Sequence, residues 1–421
     1  MRASIEKSDI AGRVRAPSSK SYTIRGLMCA ALAKGTSEIV HPLASDDTEA
    51  SLDVLGKVGI RVRQQKNVWQ VDGGNLVEPK TELFCRESAA TLRFMTAICA
   101  LIKGKCKLCS TPSLARRPIE PLLQALRQLG VDCHFDDRQA CVVVNGGKLK
   151  DGTTELPGNI SSQFVSALLL ISPFAEEGMR IKLTTPLESQ PYVLMTLECL
   201  KIFGIEVKAS PDLREFETAK QAYKPAKYVV EGDWSSASYL VALGALSGEV
   251  EVENLNSESL QGDKAILDFL RDMGASVAFG KKSVIIRKSK LKAIKANLTD
   301  CIDLLPTMAV LAAVADGTSE FTGIERARLK ESNRVAAVRE GLEGMGAKVT
   351  EERDRLIITG SNLKGSVIES KNDHRIAMAF SLLGTAVGGV VIDRAECIAK
   401  TYPDFWETLK SIGGKVKIDG Q

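Results

Sequence analysis

Two kinds of polar residue, suited to anion binding and to proton transfer, collect at or near predicted helix starts. A helix start carries unpaired backbone N–H groups and a partial positive charge, so it binds anions readily. The cations and hydroxyls suit phosphate and carboxylate groups, whereas the two acids Asp303 and Glu331 could move protons. Together these residues indicate a substrate pair with several negative charges. The set comprises Lys20, Ser21, Arg25, Ser88, Arg93, Arg117, Ser161, Ser162, Gln163, Asp303, Lys330, Glu331, Arg334, Asp373, His374, Arg375 and Lys400.

Each member of this set has an ordinary structural alternative. Ser161 to Gln163 is typical of a helix N-cap, and the KES segment at 330–332 is typical of a capping motif. The Asp-His-Arg run at 373–375 is typical of a solvated turn, and Arg116-Arg117 before proline could be surface charge. The shared position of these residues within a repeat favours the binding-site interpretation, because equivalent positions would converge on one cleft.

The elements that must position these residues repeat six times. In each repeat an apolar, helix-like segment ends at a glycine and runs into a short alternating strand. The glycines are Gly59, Gly130, Gly204, Gly274, Gly346 and Gly413. Their spacing of about 70 residues indicates an internal structural repeat.

Each repeat holds two predicted helices of different character. One kind, such as CIDLLPTMAVLAAVADG, is apolar nearly all round and should be buried. The other kind, such as RPIEPLLQALRQLG, has apolar residues at i, i+3, i+4 and i+7, the pattern of an amphipathic helix. Short strands rich in β-branched residues follow. The fold class is therefore α/β, and six such units divide into two three-repeat halves, since single cores stop growing near roughly 250–300 residues.

Composition excludes several classes of protein. The chain has 421 residues, 44% of them hydrophobic, and a net charge of +4, which is too small to indicate nucleic acid as the partner. No apolar run is long enough for a membrane span, and the first residues lack the character of a targeting signal, so we expect a cytoplasmic protein. The ten cysteines are predicted to be reduced and mostly buried. The C-x-x-C pair Cys106 and Cys109 indicates a metal or redox site only weakly, and three histidines make a metal cage unexpected.

The chain resembles the 5-enolpyruvylshikimate-3-phosphate synthase family in a series of segments that cover essentially its whole length. In order, these segments are PSSKSYTIR, SDD, ESAATLRF, RRPIEPLLQALRQLG, GNISSQF, ESQPY, EGDWSSAS, LKESNR, DHRIAM and AKTYPDF. The resemblance implies a two-domain inside-out α/β barrel of six β-α-β-α-β-β repeats. One domain would comprise residues 1–15 and 232–421, and the inserted domain residues 16–231. The active site would lie in the cleft between them, and the domains would close over the substrates about hinges near Arg15 and Glu231.

The resemblance also implies an activity: transfer of the enolpyruvyl group of phosphoenolpyruvate to the 5-hydroxyl of shikimate 3-phosphate, with release of phosphate. Neither cofactor nor metal is implied, and the expected state is a monomer. Catalysis is implied for Asp303, Glu331 and Lys20. Shikimate 3-phosphate is expected on Lys20, Ser21, Arg25, Ser161, Ser162, Gln163, Ser189, Asp303 and Lys330. Phosphoenolpyruvate is expected on Lys20, Ala89, Arg117, Gln163, Arg334, Arg375 and Lys400.

The sequence departs from the family pattern at two positions. Ala89 stands where the family usually has glycine, on the floor of the phosphoenolpyruvate pocket, so its methyl group should narrow that pocket and weaken inhibition by glyphosate. Asn333 stands where many relatives carry Asp, so the resemblance does not carry over how an acid there tunes Lys330 and Arg334, whereas the phosphoenolpyruvate clamp itself is unaffected.

Three other functions remain open at this point. A sister enzyme transfers enolpyruvyl to UDP-N-acetylglucosamine, but it lacks the Ser-Ser-Gln cradle and typically has a cysteine in the loop where this chain has Arg116-Arg117. A non-catalytic anion or nucleic-acid binder would explain the cations but leaves Asp303 and Glu331 without a purpose. A nucleotide-dependent cyclase would need a nucleophilic histidine, for which His374 is the candidate, and no glycine-rich phosphate loop occurs in the sequence.

Overall fold

The computed structural model describes residues 1–280 and 282–420, which form two compact units. The discontinuous unit comprises Met1–Pro17 and Gly232–Gln421, and the continuous unit comprises Ser18–Glu231. The first crossing between units follows Pro17 rather than Arg15. Two strands precede that crossing: β1 (Arg2–Glu6) and β2 (Ile10–Arg15).

The continuous unit contains seven helices and twelve strands among its described residues. In chain order they are α1 (Lys20–Leu32), β3 (Gly35–Val40), α2 (Asp46–Lys57), β4 (Arg61–Gln65), β5 (Val68–Gly73), β6 (Leu83–Phe84), α3 (Ala89–Cys99), β7 (Gly104–Cys109), α4 (Pro112–Ala115), α5 (Glu120–Gln128), β8 (Asp132–Asp136), β9 (Cys141–Gly146), β10 (Gly152–Leu156), α6 (Ser162–Ile171), β11 (Met179–Leu183), α7 (Gln190–Ile202), β12 (Lys208–Ala209), β13 (Glu215–Thr218) and β14 (Lys227–Val229).

The discontinuous unit adds the remaining helices and strands. In chain order they are α8 (Trp234–Ser247), β15 (Gly248–Glu253), α9 (Ile266–Asp272), β16 (Ser276–Phe279), β17 (Ser283–Arg287), β18 (Lys295–Asn297), α10 (Leu305–Val314), β19 (Thr318–Thr322), α11 (Arg334–Gly344), β20 (Lys348–Glu351), β21 (Arg355–Thr359), β22 (Val367–Glu369), α12 (His374–Val387), β23 (Val390–Asp393), α13 (Phe405–Ser411) and β24 (Lys415–Asp419). Short 3-10 turns at Gly262–Ala265, Ile302–Leu304, Glu325–Leu329 and Ala395–Lys400 link some of them.

The strands form six separate four-stranded sheets, three in each unit. The sheet β6-β7-β9-β8 shows the plan: its first two strands are parallel, and the hairpin that follows adds two antiparallel strands. This is the β-α-β-α-β-β repeat that the family resemblance implies. The described strands pair only within these six sheets, so the two-domain inside-out α/β fold is built without a single hydrogen-bonded barrel.

Three of the six sheets take one strand from a distant part of the chain. In the continuous unit, β14 lies parallel to β3 and completes the first repeat. In the discontinuous unit, β2 lies parallel to β15, and β1 lies between β23 and β24. The N-terminal strands therefore tie the start of the chain to its last two-fifths.

The predicted apolar helices are the buried core elements. Helices α1, α3 and α6 belong to the core of the continuous unit, and α8, α10 and α12 pack together in the discontinuous unit. Every residue of α8 is buried, as the lack of a polar face predicts. Full burial of each large apolar side chain contributes roughly 1.5–3 kcal/mol, so these helices supply much of the stability that fixes the polar residues at their starts.

The six repeat glycines end the amphipathic helices as the sequence predicts. Gly59, Gly130, Gly204, Gly274, Gly346 and Gly413 all have φ between +76° and +98°. A left-handed residue after a helix satisfies the last carbonyl groups, and glycine adopts this conformation at no steric cost.

One expectation about the cysteines is wrong. Cys109 of β7 and Cys141 of β9 are directly opposite each other, with Cα atoms 4.3 Å apart, and form a disulfide. The ten cysteines were expected to be reduced, whereas this pair is oxidised; Cys106, the other member of the C-x-x-C pair, is a free buried thiol. Cross-strand register decided the pairing, and the sequence pattern does not reveal register.

No helix among the described residues has the length and apolar character needed to span a membrane.

Candidate active site

The predicted site residues of the discontinuous unit form one connected network of charges. The buried Arg334, the first residue of α11, lies at its centre with 1% of its side chain exposed. Its Nε donates to Asp373 Oδ2 at 2.8 Å, and its Nη2 donates to Glu331 Oε2 at 2.6 Å. Its Nη1 donates to Asp303 Oδ1 at 2.8 Å. Burial alone would lower the pKa of Arg334, but these three carboxylates outweigh it and raise that pKa.

Asp303 lies in the 3-10 turn that leads into α10 and accepts from three cations. Besides Arg334, the Nζ atom of Lys330 lies 3.2 Å from Oδ1 and the Nη2 atom of Arg375 lies 3.1 Å from Oδ2. Burial alone would raise the pKa of Asp303, but Arg375, Lys330 and Arg334 outweigh it and hold that pKa well below its usual range. Asp303 is therefore ionised and held in one orientation.

Two lysines complete the network. Lys400, in the last 3-10 turn before α13, has its Nζ 3.4 Å from Glu331 Oε1. Burial lowers the pKa of Lys330 to about 8, and the charge of Asp303 only partly opposes this shift. Lys330 is therefore close to losing its proton at a slightly alkaline pH.

Arg375 is held by its position on α12. Asp373, the N-cap of α12, accepts from the Arg375 backbone N–H at 2.9 Å. The Nη1 atom of Arg375 lies 3.4 Å from the Tyr239 hydroxyl. The interpretation of residues 373–375 as a solvated turn is wrong, because Asp373, His374 and Arg375 are all buried.

In the continuous unit, the buried Arg25 is bound to neutral oxygens alone. Its Nε donates to Thr196 Oγ1 at 2.8 Å, and its Nη1 and Nη2 donate to the carbonyls of Ser21 and Tyr192 at 3.1 and 2.9 Å. Only 2% of Arg25 is exposed, and in residues 1–280 and 282–420 no carboxylate lies within salt-bridge distance of it. A buried cation that lacks a counter-ion favours an anionic ligand beside it.

A second arginine joins the helix starts of α3 and α6. Arg93 Nη1 donates to the side chains of Ser161 at 3.1 Å and Gln163 at 2.8 Å. Its Nη2 donates to the carbonyl of Pro118, the residue after Arg117, at 3.1 Å. Ser161 is the N-cap of α6 and accepts from the Gln163 backbone N–H. The N-cap interpretation and the binding interpretation of Ser161 are therefore compatible.

The other predicted residues of this unit lie at helix starts or in the loop after α4. Lys20 opens α1 and pairs with Asp47 of α2 at 2.9 Å. Ser162 opens α6, Ala89 opens α3 after its N-cap Ser88, and all three are buried. Ser189 precedes α7 in the left-handed conformation with φ 55°, which costs a non-glycine residue roughly 1 kcal/mol or more. Arg117 follows α4 and is half-buried.

The structure therefore unites all six predicted residues of the discontinuous unit through ion pairs: Asp303, Lys330, Glu331, Arg334, Arg375 and Lys400. In the continuous unit it joins Ser21 with Arg25, and Ser161 with Gln163.

Three residues hold the site residues in place; Arg93 and Asp373 belong to the candidate set predicted from the sequence, without a specific role there, and Asp47 was left out of it. Asp47 forms an ion pair with Lys20, and Asp373 forms one with Arg334. Arg93 donates hydrogen bonds to Ser161 and Gln163. The usable signal was position: Arg93 and Asp373 lie at the starts of buried helices, and Asp47 lies in the SDD segment. Asn333, the departure noted above, caps α11 by accepting from the Ala336 backbone N–H, which an Asp could equally do.

The arrangement of six four-stranded sheets and polar helix starts defines a class of fold that solved structures share. Over 99% of the chain, the structure matches the enolpyruvyl transferase NikO from Streptomyces tendae with a TM-score of 0.79 and 18% identity, covering 98% of that chain. At this identity the likeness shows the fold alone. EPSP synthase from Acinetobacter baumannii matches with a TM-score of 0.84 and 26% identity over 99% of this chain and all of that one.

Sequence comparison then identifies the particular family. The model of the EPSP synthase family (3-phosphoshikimate 1-carboxyvinyltransferase) matches residues 5–409. A 3-phosphoshikimate 1-carboxyvinyltransferase of Dehalococcoides mccartyi is 50% identical over 421 residues, which cover the whole of both chains. The chain belongs to the EPSP synthase family, and with it to the transferases of the shikimate pathway that use phosphoenolpyruvate and shikimate 3-phosphate.

Proposed function

We propose that the continuous unit binds shikimate 3-phosphate through its helix starts. The observation that carries this proposal is Arg25, a buried guanidinium whose partners are a hydroxyl and two carbonyls. The shikimate carboxylate supplies the counter-ion that Arg25 lacks, with Ser21 beside it. The 3-phosphate lies on Ser161, Ser162 and Ser189, where hydroxyls and the partial positive charge of helix starts favour it.

Phosphoenolpyruvate is held by cations of both units. Arg334, Arg375 and Lys400 take its phosphate and carboxylate, together with Arg117 and Lys20 of the continuous unit. Gln163 contacts both substrates, and the methyl group of Ala89 borders the phosphoenolpyruvate pocket.

Proton transfer falls to the two acids of the discontinuous unit. Glu331 delivers a proton to C3 of phosphoenolpyruvate, which makes C2 electrophilic, and Asp303 accepts the proton of the attacking 5-hydroxyl. The tetrahedral adduct then loses phosphate as a C3 proton returns to Glu331. Lys330 and Asp303 orient the shikimate hydroxyls, while Lys20 and Lys400 stabilise the charge of the departing phosphate.

Several features support these roles. Glu331 bridges Arg334 and Lys400, so a carboxylate that exchanges a proton lies between two cations proposed to hold phosphoenolpyruvate. Asp303 is ionised, as a base must be before it accepts a proton. We further propose that the protein acts as a cytoplasmic monomer.

The test is phosphate release by the purified protein from phosphoenolpyruvate. We expect release with shikimate 3-phosphate and none with UDP-N-acetylglucosamine or with phosphoenolpyruvate alone. Release that depends on UDP-N-acetylglucosamine would identify the sister transferase instead. Salt-sensitive binding of both substrates without turnover would favour a non-catalytic anion binder.

A further inference from the structure

One further buried carboxyl group, that of Asp263, interacts electrostatically with Asp303 and takes no part in the proposed chemistry. Asp263 is in the 3-10 turn Gly262–Ala265 that precedes α9, and only 2% of it is exposed. Its Oδ2 accepts a hydrogen bond from the Ser235 hydroxyl. Its Oδ1 is buried and, in the described part of the chain, receives no hydrogen bond. An unsatisfied buried carboxylate oxygen costs about 1–3 kcal/mol or more, which calls for an explanation.

Helix capping does not explain Asp263. A capping aspartate accepts from backbone N–H groups of the helix start, whereas Asp263 accepts from the side-chain hydroxyl of Ser235. The residue in the capping position of this turn is Gln261, and it makes no side-chain cap bond.

The surroundings of Asp263 connect it to the acid–base network. The turn that carries it packs against the turn Ile302–Leu304, which carries Asp303, and against the start of α8. The groups that face it are Asp303, Arg375, Asp233, Ser235 and the Cys301 thiol. Burial and then the charge of Asp303 raise the pKa of Asp263 to about 6, while Arg375 and the Ser235 hydroxyl oppose the rise. Burial keeps the Cys301 thiol neutral by raising its pKa.

We propose that Asp263 is a positioning residue that sets the base strength of Asp303. Three cations surround Asp303 and make it a weak base, since a carboxylate with a strongly lowered proton affinity accepts a hydroxyl proton poorly. The negative charge of ionised Asp263 offsets part of the electrostatic effect of Arg375 on Asp303. It thereby raises the proton affinity of Asp303. The charge of Asp263 also attracts the Arg375 guanidinium, which Asp303 binds directly. This inference depends on the proposed role of Asp303 as the base.

The test compares the pH profile of kcat in the wild type and in Asp263→Asn, at saturating substrates so that titration of the free substrates does not enter. In the wild type, kcat should rise through pH about 6 as Asp263 ionises. The Asn variant keeps the shape and the bond from Ser235 but cannot ionise. It should lack that rise and have kcat about tenfold lower at pH 7.5, while KM changes by less than about twofold.

Matched variants separate this role from folding. Asp272→Asn removes an exposed carboxylate of α9 and should keep the wild-type profile. Ser235→Ala removes the bond that lowers the pKa of Asp263, so the rise in kcat should move to a higher pH; this variant also serves if Asp263→Asn does not fold. An unchanged rise near pH 6 in Asp263→Asn, or an unmoved rise in Ser235→Ala, overturns the inference.

The variant Asp303→Asn distinguishes this inference from the proposed function. If Asp303→Asn retains wild-type kcat, Asp303 is not the base, and the proposed function fails at that step whatever Asp263 does. If Asp303→Asn loses kcat while Asp263→Asn keeps the wild-type profile, the base is correct and the role of Asp263 is wrong.

Discussion

The two units neutralise their buried cations in different ways. In the discontinuous unit, Lys330, Arg334, Arg375 and Lys400 lie among the carboxylates of Asp303, Glu331 and Asp373. In the continuous unit, Arg25 relies on hydroxyl and carbonyl oxygens. A cation that already pairs with carboxylates is held in place by the fold, whereas a cation bound to neutral oxygens keeps its full attraction for an anion. The discontinuous unit is therefore the more preorganised, and the continuous unit is the more dependent on its ligand.

The largest expected effect tests the acids of the discontinuous unit. Asp303→Asn and Glu331→Gln should each lower kcat by about 10²–10⁴-fold, because each removes a proton carrier. Steady-state phosphate release measures this loss, and calorimetric titration should show that shikimate 3-phosphate still binds. Glu340→Gln, an exposed acid of α11, is the control and should retain full activity. A loss of less than tenfold in both acid variants would refute the assigned roles.

The next effect concerns stability. Arg334→Met leaves Asp303, Glu331 and Asp373 without their shared cation, so the free energy of unfolding should fall by about 3–5 kcal/mol. Urea unfolding measures the change. Arg25→Met removes no partner of a carboxylate and should cost clearly less. Equal losses in the two variants would erase the contrast between the units.

For the binding of shikimate 3-phosphate, unlike for stability, Arg25→Met should have the larger effect of these two variants. Arg25→Met should weaken shikimate 3-phosphate binding by about 1.5–3 kcal/mol, because it removes a charge-assisted hydrogen bond to the substrate carboxylate. Titration calorimetry measures it, with Arg61→Met, an exposed arginine of the same unit, as the control. Unchanged affinity in Arg25→Met would show that the carboxylate binds elsewhere.

The next prediction concerns how KM for shikimate 3-phosphate depends on pH through Lys330 of the discontinuous unit. Since the pKa of Lys330 is about 8, its ammonium loses charge as the pH rises through that value. Its bonds to the shikimate hydroxyls then weaken, and KM for shikimate 3-phosphate should rise by about tenfold between pH 7 and pH 9.5. The sign for stability is the reverse: the folded pKa lies below the unfolded one, so the unfolded state binds more protons above pH about 8. The free energy of unfolding should therefore rise from that pH up to the unfolded pKa of 10.5, where the cost of burying the charge is gone. Lys330→Met should show a flat KM profile; a rise as large as in the wild type would assign the titration to another group.

The smallest effect concerns the pocket floor at the start of α3. Ala89→Gly removes one methyl group, so the inhibition constant of glyphosate should fall by about fivefold. Inhibition kinetics against phosphoenolpyruvate measure it. An unchanged constant would mean that Ala89 does not limit the space for the inhibitor.

Local patterns predicted the repeating parts of the fold. The six glycines, the apolar helices and the amphipathic helices all depend on short-range periodicity, and the structure confirms them. The contributions of β1, β2 and β14 to distant sheets were not predicted, because strand pairing across many residues leaves no local signal. The disulfide between Cys109 and Cys141 was missed for the same reason.

The candidate site was predicted better for its cations than for the residues that hold them. Lysines and arginines at helix starts stand out in a sequence, and ion pairs connect those of the discontinuous unit. The roles of three aspartates depend on their burial and on the cation or acid beside them in space, which the sequence does not show. These are Asp47, Asp373 and Asp263. Taken one at a time, such aspartates are equally typical of solvated turns, which was the alternative interpretation of Asp373.

The most direct test of the contrast between the units is a crystal structure of the protein with shikimate 3-phosphate. We expect the substrate carboxylate within hydrogen-bond distance of Arg25 and the 3-phosphate on Ser161, Ser162 and Ser189, with the ion pairs of Arg334 intact. A substrate carboxylate bound to Arg334 or Arg375, with Arg25 still bound only to Ser21, Tyr192 and Thr196, would contradict the account.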